Sequence, residues 1–397
     1  MTNAVNTANA GALLSIDLDA ICSNWHTLSA RLNGAACAAV VKADAYGLGA
    51  GRVGTALYAV GCRHFFVAHL GEGIALQPAL PAEATIYVMH GVPPGAEAEC
   101  AAHGLVPVLN SGQQITAWRA QARSLGRRLP AIVQVDSGMA RLGLSAAELQ
   151  QLSRDPTAFD GIAVAYVMSH LACADEPDHP ANAAQLASFI AARRLLPAAP
   201  ATLANSSGIF LGEAFHFDLA RPGAALYGVA PVPGQPNPML PVVRLQGKVI
   251  QTRTVAAGAG VGYSFSWVAP CTSRIATVSV GYADGYLRSL SGKGSVWLSN
   301  VELPLVGRVS MDTITVDVSA LPEDAVGPGT LLDLLSPQHT VDDVAARAGT
   351  IGYEILTSLG HRYQRCYKGG PAQPGTGQAP SHHHDTPPEQ RLKATPP

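Results

Sequence analysis

Residues 36–43 read ACAAVVKA, a run of small and β-branched side chains closed by a lysine. A short apolar stretch of this kind suits a strand buried on both faces, as in a parallel sheet. The same texture returns seven times: HFFVAHL from residue 64, TIYVMHG from 85, LVPVLN from 105, AIVQVDSG from 131, GIAVAYVMSHL from 161, ATLANSS from 201 and HFDLARPG from 216. Between the runs lie longer Ala/Leu-rich stretches, and residues 111–125 and 181–195 carry apolar side chains at helical spacing. Strands alternating with helices predict βα units and a parallel sheet. Eight of them close an α/β (β/α)8 TIM-type barrel.

The chain has 397 residues, more than a barrel of about 250 requires. PVPGQPNPMLP, residues 231–241, interrupts regular structure. Short alternating runs with glycine-rich turns follow: VVRLQGKVIQTRTV, RIATVSVGY, GSVWLSN, VELPLVGRVS and TITVDVS. That is the texture of a mainly antiparallel C-terminal β-domain. LLSIDLD at 13–19 precedes the first barrel strand and is free to pair with that domain. The expected organisation is a flexible N-terminus over 1–12, a barrel over 13–235, the β-domain over 236–368 and a disordered tail over 369–397. The tail is Pro/Gly-rich and nearly free of apolar residues. Its SHHHD run is of a kind that such tails carry without a metal, and no metal site is expected.

Apolar residues make up 48% of the chain and charged ones 14%, enough to bury a large core. A net charge of −2 and a pI near 6.7 provide no basic field for nucleic acid or an anionic membrane. The first residues lack a basic segment followed by a long apolar one, and no apolar run is long enough to span a bilayer, so a cytoplasmic location is expected. Seven scattered cysteines without a C-x-x-C pair read as reduced, mostly buried thiols rather than a zinc cluster or disulfide framework.

In a parallel barrel the carboxyl ends of the strands form the reactive face. Lys42 ends the first strand, Arg141 follows the fifth, His170 ends the sixth, Ser206 follows the seventh and Arg221 ends the eighth. A lone His or Arg at a strand end is commonly a structural residue satisfied by its neighbours. Lys42 is harder to dismiss, because an ammonium among apolar groups is costly and its pKa tends to fall, as a Schiff-base lysine requires. On local reasoning alone, both readings of Lys42 stay open.

Together these segments resemble alanine racemase, the pyridoxal-phosphate (PLP) enzyme of the fold-type III group, from about residue 15 to 367. AVVKADAYG at 39–47 is close to that family's cofactor-lysine signature. VDSGMARLG, SHLACAD, LANSSG, LARPGAALYG, VGYS, VGYADGY, GRVSMD and GYE follow in the family's order. The resemblance implies that Lys42 anchors PLP and acts as one acid/base, with Tyr263 as the other. Racemisation removes a proton from one face of the α-carbon and returns it to the opposite face, so two groups must flank a planar centre. Tyr263 would come from a partner subunit of a homodimer, in a chain Tyr263, His170, Arg221 whose cationic character favours phenolate. Arg221 would face the pyridine nitrogen, where a guanidinium cannot accept that nitrogen's proton. Tyr46, Ser206 and Tyr353, with the N–H groups of Gly223 and Ala224, would hold the phosphate. Arg141 and the Met311 N–H would take the substrate carboxylate, and Tyr282 would line the access path.

The chain departs from the family in three places. Leu48 stands where His is frequent. Gln134 stands where some members have a carbamylated lysine that positions the substrate-binding Arg. Thr202 stands where some relatives have a histidine beside the pyridine-side arginine. The expected activity is interconversion of L- and D-alanine, supplying D-alanine for peptidoglycan. The alternatives are a racemase for serine or basic amino acids and a barrel-type PLP decarboxylase, against which Arg221 argues. A non-catalytic PLP-binding barrel would lack the β-domain.

Overall fold

The computed structural model of the chain describes residues 8–371. Most of the expected N-terminal arm and tail, with the SHHHD run, therefore lies outside the described residues. Seven parallel strands are hydrogen-bonded in chain order: Ala39–Val40, His64–Val67, Thr85–Val88, Val106–Leu109, Leu129–Gln134, Ile162–Met168 and Ala201–Thr202. Leu219–Ala220 closes the ring by pairing in parallel with Ala36–Cys37, which runs on into the first of the seven. On its other side the Asp218 N–H donates to Ala201 at 3.0 Å and the Arg221 N–H to Ala204 at 2.9 Å. This last seam is short because a side chain takes over from the ladder: the Thr202 hydroxyl donates to the Leu219 carbonyl at 2.6 Å.

The strand texture has its physical reason in burial on both faces. Val106, Val108 and Leu109 are buried, as are Phe65, Phe66 and Val67. The helices begin where the sequence offers caps. Ser111 accepts from the Gln114 N–H at the head of Gly112–Ser124, and Ser145 caps Ala146–Ser153. The early strand covers Ala12–Asp17 rather than running to 19. Asp17 accepts from the Ala20 N–H at 2.8 Å, capping the helix Leu18–Ser29, so that Leu18 and Asp19 turn away as its first residues.

The second sheet runs in the order Ser273–Val278, Ile314–Asp317, Val301–Val306, Ser295–Leu298, Leu331–Leu335, Val243–Val255, Ala12–Asp17, Gln364–Lys368, and Val243–Val255 also pairs with Ser273–Val278. All neighbours are antiparallel except the last pair. Leu331–Leu335 and Gln364–Lys368 were not legible as strands, nor were the helices Val341–Ala348 and Gly352–Thr357. Buried Asn24 pins the connection between the two sheets: its amide donates to Leu226 and Leu240 carbonyls and its oxygen accepts from the Leu240 N–H.

Among the described residues no helix is long and apolar enough to cross a membrane. None of the cysteines is in a disulfide, and four of the seven are buried. No group of three or more metal-ligating side chains occurs among the described residues.

Gly285 shows how closely the β-domain packs. Its φ is +93°, and an added Cβ would lie 1.7 Å from the Ser358 carbonyl oxygen. Gly285→Ala should lower stability by about 3 kcal/mol, through left-handed backbone strain plus overpacking, read as a drop in melting temperature.

Candidate active site

A cavity of about 690 Å³ opens at the carboxyl ends of the barrel strands, lined by Lys42, Tyr46, Arg141, His170, Ser206, Arg221, Gly223, Ala224 and Tyr353, among others. Tyr353 reaches it from the helix Gly352–Thr357, so the β-domain of the same chain supplies part of the wall.

Lys42 begins an unusual turn. Ala43, Asp44, Ala45 and Tyr46 all have left-handed backbone, φ +52° to +55°. Such conformations cost about 1–2 kcal/mol each for residues with a Cβ, so the surroundings must over-determine them. The Ala43 N–H donates to Glu72 at 2.7 Å, Asp44 accepts from the Ala50 N–H at 2.7 Å, and Arg365 donates to the Gly47 carbonyl. Tyr367 donates to the Leu48 carbonyl at 3.0 Å, and Leu48 itself is fully buried. Burial and nearby Arg141 hold the Lys42 pKa below its ordinary value, with Glu72 opposing.

Ser206 Oγ accepts from the Gly223 N–H at 2.9 Å and the Ala225 N–H at 3.2 Å. The Gly223 N–H expected to face a phosphate is thus engaged by Ser206 within the chain, which draws the two segments together. A Cβ on Gly223 would lie 2.5 Å from the Tyr46 hydroxyl, so only glycine lets that phenol close the cradle. Hydroxyls and main-chain N–H groups without a carboxylate suit a phosphate.

Arg221 is buried, and its partners are all neutral: the Thr202 hydroxyl, the Ser169 carbonyl at 2.7 Å, the Leu203 carbonyl at 3.3 Å and His170 Nδ1 at 3.5 Å. Burial pulls its pKa down to about 9, so it remains cationic at neutral pH. Because arginine can only donate, His170 Nδ1 is the acceptor and the ring proton sits on Nε2. Burial, Arg221, Arg141 and Lys42 push the His170 pKa down to about 3. His170 is therefore neutral, and the expected cationic network reduces to Arg221 alone, since a protonated imidazole against a buried guanidinium is repelled. Gln185 holds the His170 main chain, donating to its carbonyl at 3.0 Å.

Gln134 is buried and donates to the Leu142 carbonyl at 3.2 Å. It acts on the main chain next to Arg141 rather than on the guanidinium. Asp136 completes this loop, accepting from the Gly138, Met139 and Ala140 N–H groups.

Three candidates stand outside the cavity of their own chain. Tyr263 is 70% exposed, Met311 53% and Tyr282 42%. The Tyr282 N–H donates to Ser310 and the Ala283 N–H to Met311, both at 3.0 Å, so these two loops are one unit. GYADG forms a 3₁₀ turn over Tyr282–Asp284. Asp284 accepts from the Gly281 N–H and takes a paired hydrogen bond from Arg362 at 2.6 and 2.8 Å, while Arg362 also reaches Asp312. Met89 and His90 line the cavity unforeseen, although their place at a strand's carboxyl end was a usable signal; Glu72, on a helix, gave none.

Two family descriptions match this chain: alanine racemase, N-terminal domain, over residues 16–231, and alanine racemase, C-terminal domain, over 242–367. The chain belongs to the alanine racemase family. A catabolic alanine racemase of Mesorhizobium japonicum is 58% identical over 92% of this chain and 96% of its own length. One of Agrobacterium fabrum, also named catabolic, is 54% identical over 93% and 94%. The crystal structure of alanine racemase from Bartonella henselae with covalently bound pyridoxal phosphate superposes with a TM-score of 0.88 at 43% identity, over 90% of this chain and all of that one. The fold shared with this family is the α/β barrel followed by the antiparallel β-domain.

Between pH 6.5, the ordinary histidine value, and about 3, the unfolded chain carries a proton on His170 that the folded chain does not. Stability should therefore fall as pH falls through that window. His170→Gln should flatten part of the slope of unfolding free energy against pH, measured by urea denaturation. Gly223→Ala should leave folding intact and weaken PLP binding by about ten-fold, one clash's worth of affinity, read by titrating the cofactor's absorbance.

Proposed function

We propose that this protein is a PLP-dependent isomerase that interconverts L- and D-alanine, with Lys42 and Tyr263 as the two proton-transfer groups and a homodimer completing each site. The observation that carries this reading is Arg221, a buried cation with only neutral partners among the residues that line the cavity. Were Arg221 to hold the cofactor's pyridine side, a guanidinium there would supply no proton of the carboxylic kind, which argues for restrained electron withdrawal and against decarboxylase chemistry.

The donors of Tyr46, Ser206, Ala224 and Tyr353 suit a phosphate, with Gly223, its N–H taken by Ser206, leaving room for the Tyr46 hydroxyl, and half-buried Lys42 fits the anchoring amine. PLP, when bound, supplies the electron sink that makes an amino acid's α-proton removable. The lowered pKa of Lys42 brings its amine toward the neutral form that can take a proton. His170 presents an Nε2–H, a donor able to stabilise a phenolate on the Tyr263 brought by the second subunit. Arg141 would pair with the substrate carboxylate, its loop held by Gln134 and Asp136, with the Met311 N–H as second donor and Tyr282 beside the access path. Exposure of Tyr263, Tyr282 and Met311, the last two on loops joined by main-chain hydrogen bonds, supports their role in the partner's site of a homodimer.

Purified protein should lose L-alanine's optical rotation in a PLP-dependent manner, and faster than that of serine or lysine in the same panel. Tyr263→Phe should slow racemisation by roughly 10²–10⁴-fold while one enantiomer alone keeps exchanging its α-proton with deuterated solvent. Unaltered racemisation in both directions would refute the assignment of Tyr263.

The same reaction serves two physiological ends. Supply of D-alanine for peptidoglycan predicts that deleting the gene makes its host dependent on added D-alanine. The names of the two relatives above favour the other end, alanine catabolism, which predicts instead lost growth on alanine as sole carbon source.

A further inference from the structure

The Glu72 carboxylate accepts three main-chain N–H groups, one of them from the residue that follows Lys42. Oε1 takes Ala43 at 2.7 Å, and Oε2 takes Ala68 at 2.7 Å and His69 at 3.1 Å. The second pair is what a glutamate in the first turn of Leu70–Leu76 does for its own helix. The first bond is different, because it crosses to another βα loop and lands on the residue directly after Lys42. Ala43 is the first of the four left-handed residues, the place where that strained turn begins.

We propose that Glu72 is a positioning residue for Lys42, its carboxylate fixing the start of the left-handed turn and hence the direction in which the lysine amine enters the cavity. This rests on the reading of Lys42 as the cofactor's anchor. An amide cannot replace the carboxylate, since its NH₂ would confront an N–H donor on one of the two arms. Aspartate keeps the charge but falls one methylene short of Ala43. The ionisable groups facing Lys42 are Arg141 beyond Leu129–Gln134, His170 beyond Ile162–Met168, His90 beyond Thr85–Val88 and Glu72. His69 packs edge-on against His90 at 4.6 Å. Glu72 is the anion of this group and opposes Arg141 in setting the charge of Lys42.

The test is the rate at which full-length protein, stripped of cofactor, forms its visible Schiff-base absorbance with added PLP from about pH 6 to pH 10, spanning the range between histidine and lysine. Glu72→Gln should lower the limiting rate about ten-fold or more and move the acid-side midpoint to lower pH, since loss of the anion eases deprotonation of Lys42. Glu72→Asp should keep the midpoint and lower the limiting rate. A wild-type limiting rate or midpoint in Glu72→Gln overturns the proposal, whatever its melting temperature. If Glu72→Gln does not fold, the limiting rate of Glu72→Asp decides alone, a wild-type value overturning it. Borohydride reduction and peptide mapping of the wild-type adduct separate the two readings. A label away from Lys42 overturns the anchor assignment itself, whereas a label on Lys42 with unaltered variants overturns the role of Glu72 alone.

Discussion

Four consecutive left-handed residues after Lys42 are the constraint around which the site is arranged. An L-residue avoids that conformation because its Cβ crowds the following carbonyl, so a run of four persists only when outside contacts exceed the strain. Those contacts come from both halves of the chain. Glu72 and Asp44 hold the turn from the barrel, while Arg365, Tyr367 and the helix carrying Tyr353 hold it from the β-domain. An added Cβ on Gly47 would lie 2.7 Å from the Leu356 carbonyl oxygen, which measures how closely the two halves meet. The cavity is therefore a joint product of both sheets.

Much of this was legible in the residues. Parallel strands buried on both faces must be written as short apolar runs, and the eight runs read from the sequence coincide with the eight strand positions of the closed wall. The carboxyl-end rule drew out Lys42, Arg141, His170, Ser206 and Arg221, all of which line one cavity. What escaped has physical reasons. LLDLL carries no alternation because nearly all of it is buried, and QRCYK because, at the edge of the sheet, none of it is fully buried. Leu18 and Asp19 looked like part of a strand, whereas the Asp17 carboxylate caps a helix that begins with them. The left-handed turn left no trace in ADAY, since non-local bonds impose it. Nor could the neutrality of His170 be read from sequence; it follows from burial first, and then from a guanidinium that topology brings close.

Arg221 illustrates how a buried charge can be held without a counter-ion. Three oxygens of neutral groups and an imidazole nitrogen replace its water, so desolvation is offset by hydrogen bonds rather than by a salt bridge. The Thr202 hydroxyl accepts from Arg221 and donates to Leu219, making it both a solvating group and a rivet of the barrel seam. Gln134, likewise, contributes through a main-chain contact, leaving the Arg141 guanidinium without a fixed anionic neighbour from that position.

The place of Ala12–Asp17 bears on how the chain reaches this state. Leu13 pairs with Gln246 on one side and Gln364 on the other, so this strand lies inside a sheet whose other described strands all follow the barrel in the chain. Until Val243–Val255 has been synthesised that strand has two unpaired edges and an apolar face, and until Gln364–Lys368 follows it still has one. The barrel strands emerge while that segment is still incompletely paired, and Gln364–Lys368 completes its pairing. Such long-range pairing is slow and leaves sticky edges exposed in the interim, so synthesis in cells is the stage at which this molecule is most vulnerable.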